Sequence, residues 1–256
     1  MNGTGPGGNG MTKNGEILVI GDLHGQWGSV NILINNNKPY IILQCGDFGY
    51  WPKWHNTTMI NADLYSNKRV KQPWDQYGLR PKNTKIYWAD GNHEDHWAIR
   101  KNLIETSNYE IQPNVFYQSR GSTLELPDKR IVLFMGGAES IDKNVRTMGF
   151  DWFPDEVISQ MDIENLPECN VDIVISHTCP REFFVKLLSK KEEKINKWMK
   201  AKDPSMMALS YILHKYRPKL WYFGHFHMFK IGYYHDTKWF ALNKVSDTDW
   251  WLPLEG

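Results

Sequence analysis

At 256 residues, with 41% hydrophobic and 23% charged side chains, the chain can form one or two domains with a sizeable core and has the balance of a soluble globular protein. Its net charge of +1 gives no global basic field to draw it onto nucleic acid or membrane. No apolar stretch approaches the ~18–20 residues of a membrane span, and the N-terminus lacks the basic-then-apolar order of a signal peptide.

In chain order, residues 1–15 read as a flexible Gly- and Asn-rich tail, and residues 16–256 as a single domain. Residues 16–20 form an apolar strand that ends in Gly21-Asp22-Leu23-His24-Gly25. Residues 29–36 carry Val30, Leu33 and Ile34 at helical spacing, with Ser29 as the N-cap. Residues 40–45 are a second buried strand, followed by Gly46-Asp47-Phe48-Gly49. Residues 51–84, with Pro52, Pro73, Pro81 and three tryptophans, read as a surface insertion. A third strand, 85–89, feeds Gly91-Asn92-His93-Glu94, and 94–104 reads as a helix. Residues 114–118, 123–126 and 130–135 are short strands broken by Gly121 and Pro127-Asp128, which predicts an antiparallel stretch. Residues 171–175 are another buried strand, ending in Ser176-His177. Residues 180–216 read as helical, with a solvated Lys/Glu-rich face over 190–202. The strand 220–223 ends in Gly224-His225-Phe226-His227, and 228–243 reads as a closing hairpin. The alternation of strand, loop and helix predicts a sheet with helices packed outside.

Five of these loops carry Asp, Asn or His directly after an apolar strand. Together they offer about seven oxygen and nitrogen ligands, a set that suits divalent manganese, iron or zinc and suffices for two ions. Asp22-x-His24 and His225-x-His227 repeat at the strand period of two. The three cysteines, Cys45, Cys169 and Cys179, contain no Cys-x-x-Cys pair. This argues against a disulfide framework and sets the expectation of a reducing, cytoplasmic setting. Cys45 and Cys179 read as packing residues.

The five motifs, in this order, resemble those of the calcineurin-like metallophosphoesterase superfamily over about residues 17–230. The resemblance implies an α/β fold, a calcineurin-like two-sheet β-sandwich flanked by helices, with a dinuclear metal site at the strand ends. It implies that Asp22, His24 and His227 hold one metal, that Asn92, His177 and His225 hold the other, and that Asp47 bridges both. It leaves His93 to face the substrate. It further implies phosphate-ester hydrolysis by in-line attack of a metal-bound hydroxide, with two divalent ions, Mn2+ first and Fe or Zn as alternatives. Two departures narrow the substrate. Tyr50 and Trp51 stand where the protein serine/threonine phosphatases carry an Asp and an Arg. Arg146, with Asp142 as its partner, is the candidate to supply the missing guanidinium. The expected substrate is a phosphodiester or nucleotide-type ester, with a phosphomonoester or single-stranded nucleic acid as alternatives. A nucleic-acid groove would draw on Lys186, Lys190, Lys191, Lys194 and Lys197. A catalytically silent interaction scaffold is the non-enzyme alternative, although every ligand position is filled. Trp27, Trp51, Trp54 and Trp97 lie near motifs and could stack on a base, but core packing is the simpler reading, as it is for Trp88. His55, His96, His214 and His235 read as surface or core histidines.

Overall fold

The computed structural model describes residues 16–52, 78–106, 109–183 and 203–256. The tail 1–15, most of the insertion (53–77, with Trp54 and His55) and the Lys/Glu-rich stretch 184–202 with its five lysines lie outside the described residues.

Twelve strands among the described residues make two six-stranded sheets. The first contains β1 (Ile17–Ile20), β2 (Ile41–Gln44), β3 (Lys85–Trp88), β4 (Glu110–Gln112), β5 (Val115–Tyr117) and β12 (Trp251–Pro253), in the order β12-β1-β2-β3-β5-β4. The second contains β6 (Thr123–Glu125), β7 (Ile131–Met135), β8 (Ile173–Ser176), β9 (Leu220–Phe223), β10 (Lys230–Tyr234) and β11 (Thr237–Ala241), in the order β10-β11-β9-β8-β7-β6. Each sheet has four parallel central strands and an antiparallel strand at either edge.

The period of two in the strands sorts their side chains into layers. Val19, Leu43, Phe134, Ile175 and Tyr222 face a core shared by the two sheets. Leu18, Ile20, Ile42 and Trp88 face the other way, onto α1 (Trp27–Asn37) and α2 (His96–Thr106) through Val30, Leu33, Ile34 and Ile99. Leu133, Val174, Trp221 and Phe223 face α4 (Pro204–Tyr216) through Met206, Leu209, Ile212 and Leu213. A short α3 (Gln160–Glu164) is closed by a Ser159–Asp162 capping box. Strands that are apolar on both faces need cover on both, and the helix–sheet–sheet–helix sandwich supplies it. This is the two-sheet architecture the sequence led us to expect.

Three local readings differ. Helix α1 starts at Trp27, so Ser29 lies inside it and caps nothing; Gly25, at φ 75°, turns the chain straight into the helix. Residues 115–117 do not share an antiparallel stretch with the two strands that follow. They pair parallel to β3 and antiparallel to β4 in the first sheet, while β6 and β7 form a hairpin in the second. The edge strands β4 and β12 are three residues each, too short to show a strand period, and are placed by pairing with β5 and β1. The closing hairpin is β10–β11.

Candidate metal centre

Parallel strands end at the same edge, and the loops leaving that edge carry the candidate ligands. Asp22 and His24 follow β1, Asp47 follows β2, Asn92 and His93 follow β3, His177 follows β8, and His225 and His227 follow β9. The centre therefore draws on both sheets. These loops are sharply bent. His24, Asp47, His225 and His227 have φ of 45°, 53°, 66° and 47°, in the left-handed region that is costly for residues with a Cβ. Surrounding bonds hold them there. The N–H groups of Leu23 and His24 donate to the Asp47 carbonyl, and His225 N–H donates to both Asp22 oxygens at 3.0 Å. Two glycines allow the close approach: a Cβ at Gly91 would run into Asp47 Oδ1, and one at Gly224 into Asp22 Oδ1.

The donor atoms form two adjoining groups. In the first, one ligand atom from each of Asp22, His24, Asp47 and His227 lies within 4.8 Å of the others. His227 Nε2 is 3.0 Å from Asp22 Oδ2 and 3.1 Å from His24 Nε2. In the second, Asn92 Oδ1 is 3.0 Å from His177 Nε2 and 3.1 Å from His225 Nδ1. Asp47 stands between them, with Oδ1 3.3 Å from His177 Nε2 and Oδ2 3.7 Å from His24 Nδ1. Ligand atoms ~2.0–2.2 Å from one ion sit roughly 3 Å apart when adjacent in its shell, so these spacings and this mixed O/N set fit divalent cations. The Asp/His cluster can hold a metal.

Burial and charge set the protonation of the centre. Burial works against a charged His177, but Asp47 beside it, their hydrogen bond and Asp22 outweigh that and push its pKa up to about 10. Both ring nitrogens then donate: Nδ1 to the Cys45 carbonyl at 2.9 Å, and Nε2 toward Asn92 and Asp47. For Asp47, burial favours the neutral acid, yet His177 and His93 hold the carboxyl well below its ordinary value. His225 is brought down to about 3 by burial and by His177.

His93 and Arg146 meet beside the cluster. Arg146 Nη2 is 3.1 Å from His93 Nε2, and its Nε donates to Asp142 Oδ2 at 2.6 Å. A guanidinium can only donate, so the resting imidazole accepts through Nε2 and carries its proton on Nδ1. Burial, with Arg146 adding to it, keeps the His93 pKa well below 6.5 against the pull of Asp47. His93 N–H donates to Asp47 Oδ1 at 2.9 Å, which ties the two loops together.

Three residues near the centre were given no role from sequence. Glu94 is fully buried and accepts N–H from Gly49 at 2.9 Å and Gly91 at 2.7 Å, joining the second and third motif loops. Its place in a quoted motif was the available signal. Ser140 accepts from Asn92 Nδ2 at 3.0 Å, and Glu156 accepts from Ser140. Nothing local marks that pair. Burial pushes Glu156 up to about 7, against its bonds from Ser140 and Trp152.

The aromatic candidates separate by position. Trp27 is core, with Nε1 donating to the Phe48 carbonyl, and Trp88 is fully buried. Tyr50 lies against Trp88 and Trp51 against Phe153. Trp97 is 43% exposed, bonds Asp155 and lies edge-on to Phe153. His96 is buried 3.7 Å from Asp90, His214 pairs with Glu182 at the surface, and His235 sits in the β10–β11 turn. Cys45 and Cys179 are buried and Cys169 is exposed, and none of the three is in a disulfide. Among the described residues no helix is long and apolar enough to cross a membrane.

The family model described as calcineurin-like phosphoesterase matches residues 15–229. Among solved structures, the protein TT1561 of Thermus thermophilus is similar at 12% identity and TM-score 0.52, over 91% of each chain. The phosphopantetheinyl hydrolase PptH of Mycobacterium tuberculosis aligns at 11% identity and TM-score 0.48, over 94% of this chain and 96% of its own. At such identity the likeness to TT1561 speaks to the fold alone. Comparison with curated proteins finds no match.

Proposed function

The chain belongs to the calcineurin-like phosphoesterase family, whose general activity is metal-dependent phosphoester hydrolysis, and from that premise we propose that its centre is dinuclear and cleaves a phosphodiester or nucleotide-type ester. Asp22, His24 and His227 would hold one ion, Asn92, His177 and His225 the other, and Asp47 would serve both. The observation that carries this reading is the position of Asp47, whose two oxygens face different donor groups, at 3.3 Å and 3.7 Å. When bound, the ions would supply Lewis acidity toward phosphoryl oxygens and acidify water; Mn2+ is the first candidate.

The chain's own residues supply the rest. Arg146 offers a planar fork of donors to phosphate oxygens. A phosphate entering beside it would draw the guanidinium away from His93 Nε2. Its negative charge would also favour the protonated imidazole. His93 could then donate a proton to the departing oxygen, or a hydrogen bond to the phosphoryl group. Asp142 keeps Arg146 aimed by holding Nε.

An ester with an organic group on the phosphate is supported by the surroundings of Arg146. Ile141, Val145 and Met148 are 45%, 82% and 63% exposed on the same loop, and the Trp97 ring lies against Gly149 of that loop. Such a rim suits an apolar or base-like substituent. The test is hydrolysis of bis-p-nitrophenyl phosphate and p-nitrophenyl phosphate by metal-stripped protein given back Mn2+, Zn2+ or Mg2+. Metal-dependent turnover with preference for the diester is expected. Preference for the monoester would replace the diester reading, and no turnover by protein carrying two ions would favour a scaffold.

A further inference from the structure

An Asn ligand differs from an Asp ligand in one respect: only one of its two terminal atoms can bind a cation. Something must decide which atom faces the centre. Here a buried chain of hydrogen bonds does so, beginning at Glu156. Ser140 and Glu156 are each 1% exposed, so neither shares these bonds with bulk water. Ser140 N–H donates to Glu156 Oε1 and its hydroxyl to Oε2, both at 2.7 Å. A serine hydroxyl has one proton. Above about pH 7 Glu156 is a carboxylate that only accepts; with the hydroxyl proton committed to it, Oγ can only accept from Asn92, and it does so from Nδ2 at 3.0 Å. The amide nitrogen is thereby fixed on the Ser140 side, and Oδ1 is left facing His177 and His225. The reversed amide would set its carbonyl oxygen against an Oγ with no proton to give, and two unmatched buried groups would result.

Glu156 is itself held from behind. Trp152 Nε1 donates to Oε1 at 2.9 Å, while Ala138 N and Arg120 Nη2 donate to the Glu156 carbonyl at 2.9 and 3.1 Å. Arg120 also grips Asp90, just after β3, so the chain is anchored to the strand that delivers Asn92.

We infer that Ser140 and Glu156 are positioning residues whose hydrogen-bond polarity presents Asn92 Oδ1, rather than its amide nitrogen, to a divalent cation shared with His177 and His225. This rests on the dinuclear reading above. Hydrogen-bond partners outside the ligand shell commonly govern metal affinity by 10–100-fold.

The test is Mn2+ titration of metal-stripped protein by isothermal titration calorimetry at pH 8, where Glu156 is ionised. Wild type should take up two equivalents. Ser140→Ala should weaken one of them by roughly 10–100-fold and leave the other unchanged. In an Asn92→Asp background both terminal atoms can ligate and amide polarity no longer exists, so adding Ser140→Ala there should change affinity by less than about twofold. An equal loss in both backgrounds would overturn the inference, because Ser140 would then act only through packing. If Ser140→Ala fails to fold, as judged by unfolding of the metal-free protein, Glu156→Gln gives a second route. It replaces a carboxylate oxygen with an NH2 donor, releases the Ser140 proton toward Asn92 and should weaken the same equivalent; unchanged affinity would count against the chain. Wild type binding fewer than two ions would remove the dinuclear reading itself, a result distinct from a normal wild type with unaffected variants.

Discussion

Asp47 and His93 are joined by a hydrogen bond, yet their substitutions should read out differently. Asp47 faces both donor groups, so Asp47→Asn should weaken both ions together and abolish turnover. Retained metal content and activity, measured by elemental analysis and hydrolysis, would take Asp47 out of the bridge. His93→Ala should keep both ions and slow hydrolysis by roughly 10²–10⁴-fold, the scale of a lost acid–base group; full activity would leave His93 without a role in the reaction. His177 makes the pH prediction. Its pKa in the metal-free fold is about 10, against 6.5 ordinarily. A group raised on folding stabilises fully below its unfolded value and stops doing so as pH passes its folded one. The metal-free protein should therefore lose stability from this group between pH 6.5 and about 10. With His177 Nε2 as the proposed ligand atom, metal must displace its proton, so affinity should rise across the same window. Calorimetry at pH 8 in buffers of different ionisation enthalpy should show proton release on Mn2+ binding, and no release would exclude His177 as a ligand.

At the scale of the element, three motif loops depend on a glycine that leaves room for a candidate ligand: a Cβ at Gly46, Gly91 or Gly224 would meet His177, Asp47 or Asp22. Gly46 has φ 91°, and a Cβ there would meet the His177 ring at 2.5 Å. Gly121 has a similar φ of 83°, but a Cβ there meets nothing closer than 3.7 Å. The two positions separate backbone strain from displacement of a ligand. Gly121→Ala should cost ~1–3 kcal/mol of stability and leave Mn2+ affinity alone. Gly46→Ala should cost at least as much and also weaken the ion held by His177. Denaturant unfolding and metal titration of the two variants would check this, and equal metal affinity would mean that the loop absorbs the Cβ without moving His177.

At the scale of the molecule, the centre spans loops from both sheets, so a bound ion ties together edges otherwise joined through the shared apolar core. Cation at about 100 times its dissociation constant should add ~2.7 kcal/mol, which for a chain of this size raises Tm by roughly 5–10 °C. Thermal unfolding with Mn2+ and with chelator would measure it. No shift would mean that the donor atoms fail to converge on a cation in solution.

The ligand-bearing motifs could be read from the chain because each follows a short apolar run, and local order is enough to place a loop after a strand. The two-sheet sandwich was legible only through the family resemblance that those motifs carry; the alternation of strand and helix by itself pointed to a sheet with helices outside. What the sequence could not decide is which residues arrive from elsewhere. Arg146, with Asp142 as its partner, was a candidate by its place in a loop near the motifs, but its position against His93 comes from the fold of that loop. Ser140 and Glu156 lie 48 and 64 positions beyond Asn92 and carry no periodic or spacing signal. Strands β4 and β12 were invisible because three residues show no strand period, and pairing with distant segments makes them strands. Local sequence determines what a residue can do chemically. Only the packing of distant segments decides which hydrogen-bond partner it finds, and so which of its atoms is turned toward the centre.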